Sequence, residues 1–361
     1  MGYLFFFLIF FIVVLVHEFG HYIIARASGI GVREFFIGMG PTLLHFEKGG
    51  TKYSLKLFPI GGACIFEGED GVFTDEEEGV KEEDEGIFVN GIPFPDASVA
   101  KRFATVFAGP FFNFILAFLF SLIIVATIGS DPAVIGDVVE GGAAEKAGLQ
   151  AGDVILKINN ENIHLFRDVT IDALVNKGED VRITYKRDGI IQSTILSPIF
   201  SEEENRYYFG IMGERGYTKF DASGTVKYSF YEVRYWINMV FKSLKMLFTG
   251  RASIKDLSGP VGMADTVSDI YKESKPDGFF YVFINMINFT VLISANLGVM
   301  NLLPFPALDG GRLVLFILEA IRRKPLPPEK EGIFHMIGFA LLMLLMVVVL
   351  YQDILRIIGK F

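Results

Sequence analysis

Apolar residues run almost unbroken through four stretches of this chain, 3–25, 104–128, 279–303 and 333–358. A bilayer core of roughly 30 Å needs about 20 helical residues, so each stretch predicts a transmembrane helix. Between them the pattern changes. Residues 51–66 (TKYSLKLFPIGGACIF) alternate and then break at Pro59 and Gly61-Gly62, which predicts a β-hairpin loop. Residues 67–90 hold an acid-rich run read as a solvated loop, with a regulatory or ion-binding role as the alternative. From 129 to 210, short β-type runs separated by Gly, Asn and Asp turns predict a small β-rich domain. Residues 211–278 read as a linker, in which 225–249 are apolar but carry Lys227, Glu232, Arg234, Lys242 and Lys245. That mixture predicts an amphipathic helix on the membrane surface, with Trp236 at headgroup depth, and a fifth span as the alternative. The fold class expected is an α-helical polytopic membrane protein with four transmembrane helices, an inserted β-rich domain and a membrane-associated β-hairpin.

Composition strengthens the membrane reading. Of 361 residues, 51% are apolar and only 21% charged, which leaves too little polar surface to solvate the rest. A net charge of −9 provides no broad basic surface, so no nucleic-acid partner is expected. The single cysteine, Cys64, excludes an internal disulfide and a Cys-based zinc cage. The first apolar run could instead be a signal peptide cut at Ala25-Arg26-Ala27. Its opening residues lack Lys and Arg, however, and three ionisable residues precede the triplet, so a retained span is expected. Arg26, Arg33, Lys101 and Arg102 follow the first span, and Arg312, Arg322, Arg323, Lys324 and Lys330 lie between the third and fourth. The bias places those loops in the cytosol of a plasma or inner membrane protein, and the N-terminus, the 129–278 region and the C-terminus outside it.

The chemistry is concentrated in the first span, at His17-Glu18-Phe19-Gly20-His21. On a helix, two histidines four positions apart project from one face and can share a cation. Glu18, offset by one position, can reach a water held there and exchange a proton with it. Burying three such groups in a membrane costs several kcal/mol unless they are paired or liganded; a hydrogen-bonded cluster that packs helices is the alternative. Hydrolytic zinc sites take three protein ligands and a water. Of the five histidines, His45 and His164 fall in loops, and His335 opens the fourth span with no acid partner expected. A carboxylate fits better. After the third span, Pro304 and Pro306 break the helix and Gly310-Gly311 permit tight turns, so Asp309 can point back towards His17 and His21 at the same cytosolic depth.

The HEFGH run, the Asn301-Leu-Leu-Pro-Phe-Pro-Ala-Leu-Asp-Gly-Gly311 run, Gly109-Pro110 with Asn113, and Gly259-Pro260-Val261-Gly262 together resemble the site-2 protease family of intramembrane zinc metalloproteases. The closest likeness is to the bacterial branch that regulates sigma factors. Within residues 129–210, VVEGGAAEKAGLQAGDVILKINNENI resembles PDZ domains. The resemblance implies one catalytic zinc ion held by His17, His21 and Asp309, with Glu18 as catalytic acid/base. It also implies contacts of Asn296 and Asn301 with substrate backbone, and a membrane-dipping β element at Gly61 and Gly62 beside the site. The implied partners are the lipid bilayer and single-span membrane proteins, such as anti-sigma factors or remnant signal peptides, already cut once by another protease. The PDZ-like domain would either bind a peptide or trimmed substrate terminus, or exclude large ectodomains by bulk. A single such domain departs from Gram-negative relatives, which carry two. Iron or cobalt would also suit the ligand set, and a non-catalytic PDZ scaffold is the competing function, against which the intact Glu18 argues.

Overall fold

The structure is a computed structural model that describes residues 1–68, 91–202, 206–253, 257–325 and 327–359; nearly all of the acid-rich 67–90 segment lies outside the described residues. Two units emerge, one of Met1–Phe120 with Trp236–Phe361 and one of Ser121–Tyr235.

Among the described residues, four helices are long and apolar enough to cross a membrane: α1 (Gly2–Ala27), α2 (Val99–Ile128), α7 (Phe279–Leu302) and α9 (Pro328–Ile358). At 1.5 Å per residue each exceeds the hydrocarbon thickness. Of the four, α7 is the most enclosed, and α9 leaves most of its apolar side chains uncovered.

Between α1 and α2, strands β1 (Val32–Lys48) and β2 (Thr51–Phe66) form an antiparallel hairpin. Its turn is at Gly49-Gly50, not at Gly61-Gly62, because 51–66 is one arm of a longer hairpin and not a hairpin in itself. Residues 34–37 pair with 52–55 on one side and with 62–65 on the other, while 51–56 also pair with 42–48. The two long strands therefore fold into four ribbons in the order 42–48, 51–56, 32–37, 62–66. The bends use positive φ at Gly38, Gly40 and Gly61. Ribbon 62–66 ends the sheet and faces α1.

The second unit contains the β-rich insert. Strands β4 (Val154–Ile158), β5 (Glu161–Asn162), β6 (Val181–Arg187) and β7 (Ile190–Leu196) form an antiparallel sheet in the order β5-β4-β6-β7. Strand β3 (Ile135–Val138) pairs with β10 (Ile211–Gly213), and β8 (Ile199–Ser201) pairs with β9 (Arg206–Tyr208). With α3 (Ala143–Lys146) and α4 (Phe166–Val175), these elements enclose a core of Ile135, Leu149, Ile155, Ile183 and Leu196. Helix α5 (Ala222–Phe248) begins in this unit. There Glu232 accepts hydrogen bonds from Ser130 and Arg167, and Arg167 also binds Asp131. Burial opposes the Arg167 charge, but Glu232 and Asp131 outweigh it and hold its pKa above the ordinary value.

Two helices depart from the sequence reading. Residues 260–274, expected within a linker, form α6 (Pro260–Ser274), whose first turn is capped by the buried Asp353 of α9 through the backbone N–H groups of Gly259 and Gly262. Residues 309–322, expected as a loop, form α8 (Asp309–Arg322). Leu313 and Phe316 bury one face of α8 against Ala25, Ile30, Val32, Phe66 and Val106, and Arg102 of α2 pairs with Glu319 at 2.6 Å. That anchoring fixes where α8 begins, and its first residue is Asp309.

Candidate metal centre

Helix α1 carries His17 and His21 four positions apart, so their rings share one face; the ring centroids are 4.8 Å apart and the planes nearly perpendicular, at 86°. Both side chains are buried. Asp309 Oδ2 lies 3.2 Å from His17 Nε2 and 3.4 Å from His21 Nε2, and the two Nε2 atoms are 3.2 Å apart. Atoms bound at about 2.0–2.1 Å to a tetrahedral zinc stand about 3.3 Å from one another. The three separations match that spacing.

The hydrogen bonds behind the rings decide which nitrogen is bare. His21 Nδ1 lies 2.9 Å from the Thr105 carbonyl, which can only accept, so Nδ1 carries the proton and Nε2 presents a lone pair. His17 Nδ1 meets the side-chain amide of Asn113 at 3.1 Å through Nδ2, while Asn113 Oδ1 is buried with no partner. A half-turn of that amide lets His17 Nδ1–H donate to Oδ1, which satisfies the orphan and frees His17 Nε2. Asp309 Oδ2 is likewise buried with no hydrogen-bond donor. Three lone pairs then converge at one point, an arrangement that repels itself unless a cation sits among them. Two imidazoles and one carboxylate, with a fourth position open, are the donor set of a hydrolytic zinc ion. The residues present fit zinc.

Close backbone approach builds this arrangement. A Cβ on Gly109 would fall 2.2 Å from His21 Nε2, so α2 reaches the ring only because position 109 has no side chain. Around Gly310 a Cβ would meet the Leu303 carbonyl at 2.2 Å, which lets the chain after α7 wrap tightly onto the first turn of α8.

Glu18 lies between the sheet and the ligand cluster, within electrostatic reach of His17, His21 and Asp309. Its carboxylate reaches the backbone N–H of Cys64, and a Cβ on Gly62 would lie 3.2 Å from its Cγ. Gly61, at φ +80°, turns the chain into ribbon 62–66. Asn301 Nδ2 lies 3.3 Å from His17 Nε2, at the rim of the cluster. Asn296 is half-buried on α7, five positions before Asn301, so the two amides leave the helix about 140° apart. The other histidines are elsewhere: His45 on β1 pairs with Ser54, and His164 stacks on Tyr231 at 3.9 Å. His335 does have an acidic neighbour, contrary to expectation, with Glu331 one turn before it at 3.8 Å. Among the described residues, the group that could hold a metal is His17, His21 and Asp309.

Asn113 is the residue whose role the sequence reading missed. Substituting leucine there is expected to lower zinc affinity about 10–100-fold, as loss of a partner that orients a ligand does, with helical content retained. Chelator competition measures it, and wild-type affinity would remove Asn113 from the centre.

The model of Peptidase family M50 matches residues 5–345. The chain belongs to peptidase family M50. Like other M50 proteins it is a zinc metalloendopeptidase of the site-2 protease kind, with several apolar helices that make it a multi-pass membrane protein. It is 38% identical over 347 residues to a Clostridium acetobutylicum protein assigned to the zinc metalloproteases, covering 95% of this chain and 94% of that one. Zinc metalloprotease RasP of Shouchella clausii is 34% identical over 420 residues, covering 97% and 98%. The regulator of sigma-W protease RasP of Bacillus subtilis is 30% identical over 419 residues, covering 97% of each. Among solved structures, the PDZ domain of an SdrC-like protein from Listeria monocytogenes covers 23% of this chain and 87% of its own, at 20% identity. Its TM-score of 0.21 is too low to decide a fold.

Proposed function

We propose that this M50 protease hydrolyses peptide bonds inside the transmembrane segments of single-span membrane proteins, such as anti-sigma factors or remnant signal peptides, after an earlier cut has removed their outer portion. The observation that carries this reading is the position of the metal-ligand cluster within apolar helices. His17 stands about 22 Å along α1, counted at 1.5 Å per residue, and Asp309 opens α8 seven residues after the apolar α7 ends.

His17, His21 and Asp309 would hold the ion, which when bound supplies Lewis acidity to water and to a peptide carbonyl. Glu18 takes the proton of the attacking water on its carboxylate and returns it to the departing amine. The Cys64 N–H steadies that carboxylate at the edge of the sheet. A helical substrate hides its carbonyls in its own hydrogen bonds, so it must unwind locally and find new partners inside protein. Ribbon 62–66 offers a strand edge beside Glu18, and Asn301, with Asn296 further along α7, offers side-chain amides for the freed backbone.

Exposed Met39, Leu43, Leu44, Phe46, Leu57 and Phe58 give the sheet an apolar surface suited to dipping into lipid next to the site. The β-rich insert is read as a PDZ-type domain. A cavity of about 500 Å³ lies between α4 and β10, lined by Phe166, Val169, Ala173 and Ile211. A cavity between a helix and a strand suits an extended peptide end, so the trimmed terminus of a substrate is the ligand favoured there. The charge bias places this insert and both termini outside the cytosol, with the catalytic centre nearer the cytosolic leaflet.

The test uses the purified full-length protein and a single-span substrate in lipid vesicles, with products mapped by mass spectrometry. A cut within the span that stops on zinc chelation and resumes on zinc addition is expected. Cleavage confined to residues outside the span, or insensitive to chelation, would overturn the reading.

A further inference from the structure

The segment joining α7 to α8 contains Pro304 and Pro306, which have no N–H, and Ala307, whose φ of +73° lies in the left-handed region that a side chain disfavours. Phe305 N–H donates to the Leu303 carbonyl and Leu308 N–H to the Phe305 carbonyl. The Ala307 N–H goes elsewhere: it donates to Nδ1 of His335 on α9, 3.1 Å away and 28 residues on. One turn further along the same face of α9, Gly338 meets the loop so closely that a Cβ there would lie 2.2 Å from Pro306 Cβ and 2.3 Å from the Pro306 carbonyl oxygen. The last span thus touches the loop at consecutive residues, once by hydrogen bond and once by bare backbone.

We infer that His335 is a positioning residue for the metal ligand Asp309. A backbone N–H can only donate, so His335 Nδ1 accepts and the neutral ring carries its proton on Nε2, which faces Glu331 Oε1 at 3.8 Å. The ring holds Ala307 in its disfavoured conformation through the Ala307 N–H, and Ala307 sets the direction in which the chain enters α8 two residues later. An alanine left to itself would relax to negative φ and swing Asp309 away from His17 and His21. His335 acts through the backbone and touches neither substrate nor the ligand cluster.

This inference rests on the metal-centre reading, so its test measures zinc affinity of the purified full-length protein by chelator competition, apart from any cleavage assay. His335→Leu, which removes the acceptor, is expected to lower affinity about tenfold or more, within the range for partners that orient ligands. His335→Asn places an acceptor near the Nδ1 position and is expected to retain most of the affinity. The decisive variant is the double substitution His335→Leu with Ala307→Gly: glycine adopts φ near +73° without a side-chain penalty, so affinity should return towards that of the wild type. A role for His335 in packing alone would not be repaired by a glycine 28 residues away. Wild-type affinity in His335→Leu, an equal loss in His335→Asn, or no recovery in the double variant would each overturn the inference. Failure of the wild-type protein to bind zinc in the same titration would instead overturn the metal centre, and the inference with it.

Discussion

Replacing Glu18 with glutamine is expected to slow cleavage of a single-span substrate by about 10³-fold, the middle of the range for a lost general acid/base, while zinc content stays at that of the wild type. Glutamine keeps the volume of glutamate and can still contact the sheet, but it can neither take nor return a proton. Because Glu18 contacts the Cys64 N–H and is not among the converging ligand atoms of His17, His21 and Asp309, the substitution leaves the ligands untouched. Initial rates together with elemental analysis of the purified variant separate the two effects. A rate within tenfold of the wild type would remove Glu18 from proton transfer. Low zinc in a folded variant would show that it belongs to the ligand set.

Replacing Asp309 with alanine is expected to abolish both zinc retention and cleavage, with affinity falling by more than the roughly 100-fold that losing an orienting partner costs. Two imidazoles alone cannot complete the site, and no other carboxylate among the described residues stands within reach of both. Helix α8 should survive the change, since its anchorage comes from Leu313, Phe316 and the Glu319–Arg102 pair. Circular dichroism and a single symmetric elution peak check that. A folded Asp309→Ala protein with undiminished zinc affinity would require a different third ligand.

Much of this centre was legible because its signals are local. The spacing of His17 and His21 is a property of one helix, and the Pro-Phe-Pro-Ala-Leu-Asp-Gly-Gly run announces a broken chain that can turn a carboxylate inwards. What escaped the sequence depends on residues far apart in the chain. Asn113 meets His17 across 96 positions, and although it stands beside the Gly109-Pro110 motif, an apolar helix gives no sign of which partner its amide takes. His335 carries no signal of its role in the sequence, because its bond to the Ala307 N–H, 28 positions away, is invisible to periodicity. Helix α8 was missed because two prolines and two glycines precede an apolar stretch too short to span a bilayer. The hairpin was misplaced because Gly61-Gly62 has the composition of a turn. Those glycines instead mark a bend and a close approach to Glu18, and the turn falls at Gly49-Gly50.

The contact of α1 with α2 has a mechanical consequence. At Gly20 an added Cβ would strike the Ala108 carbonyl at 2.5 Å, and at Gly109 it would strike the His21 ring, so the two helices interlock with no clearance for sliding or rolling. The imidazole pair is accordingly the stationary jaw of a vice. The aspartate closes on that jaw from a short proline-rich strap, and α8, which begins at it, is itself clamped to the same two helices through Leu313, Phe316 and Glu319.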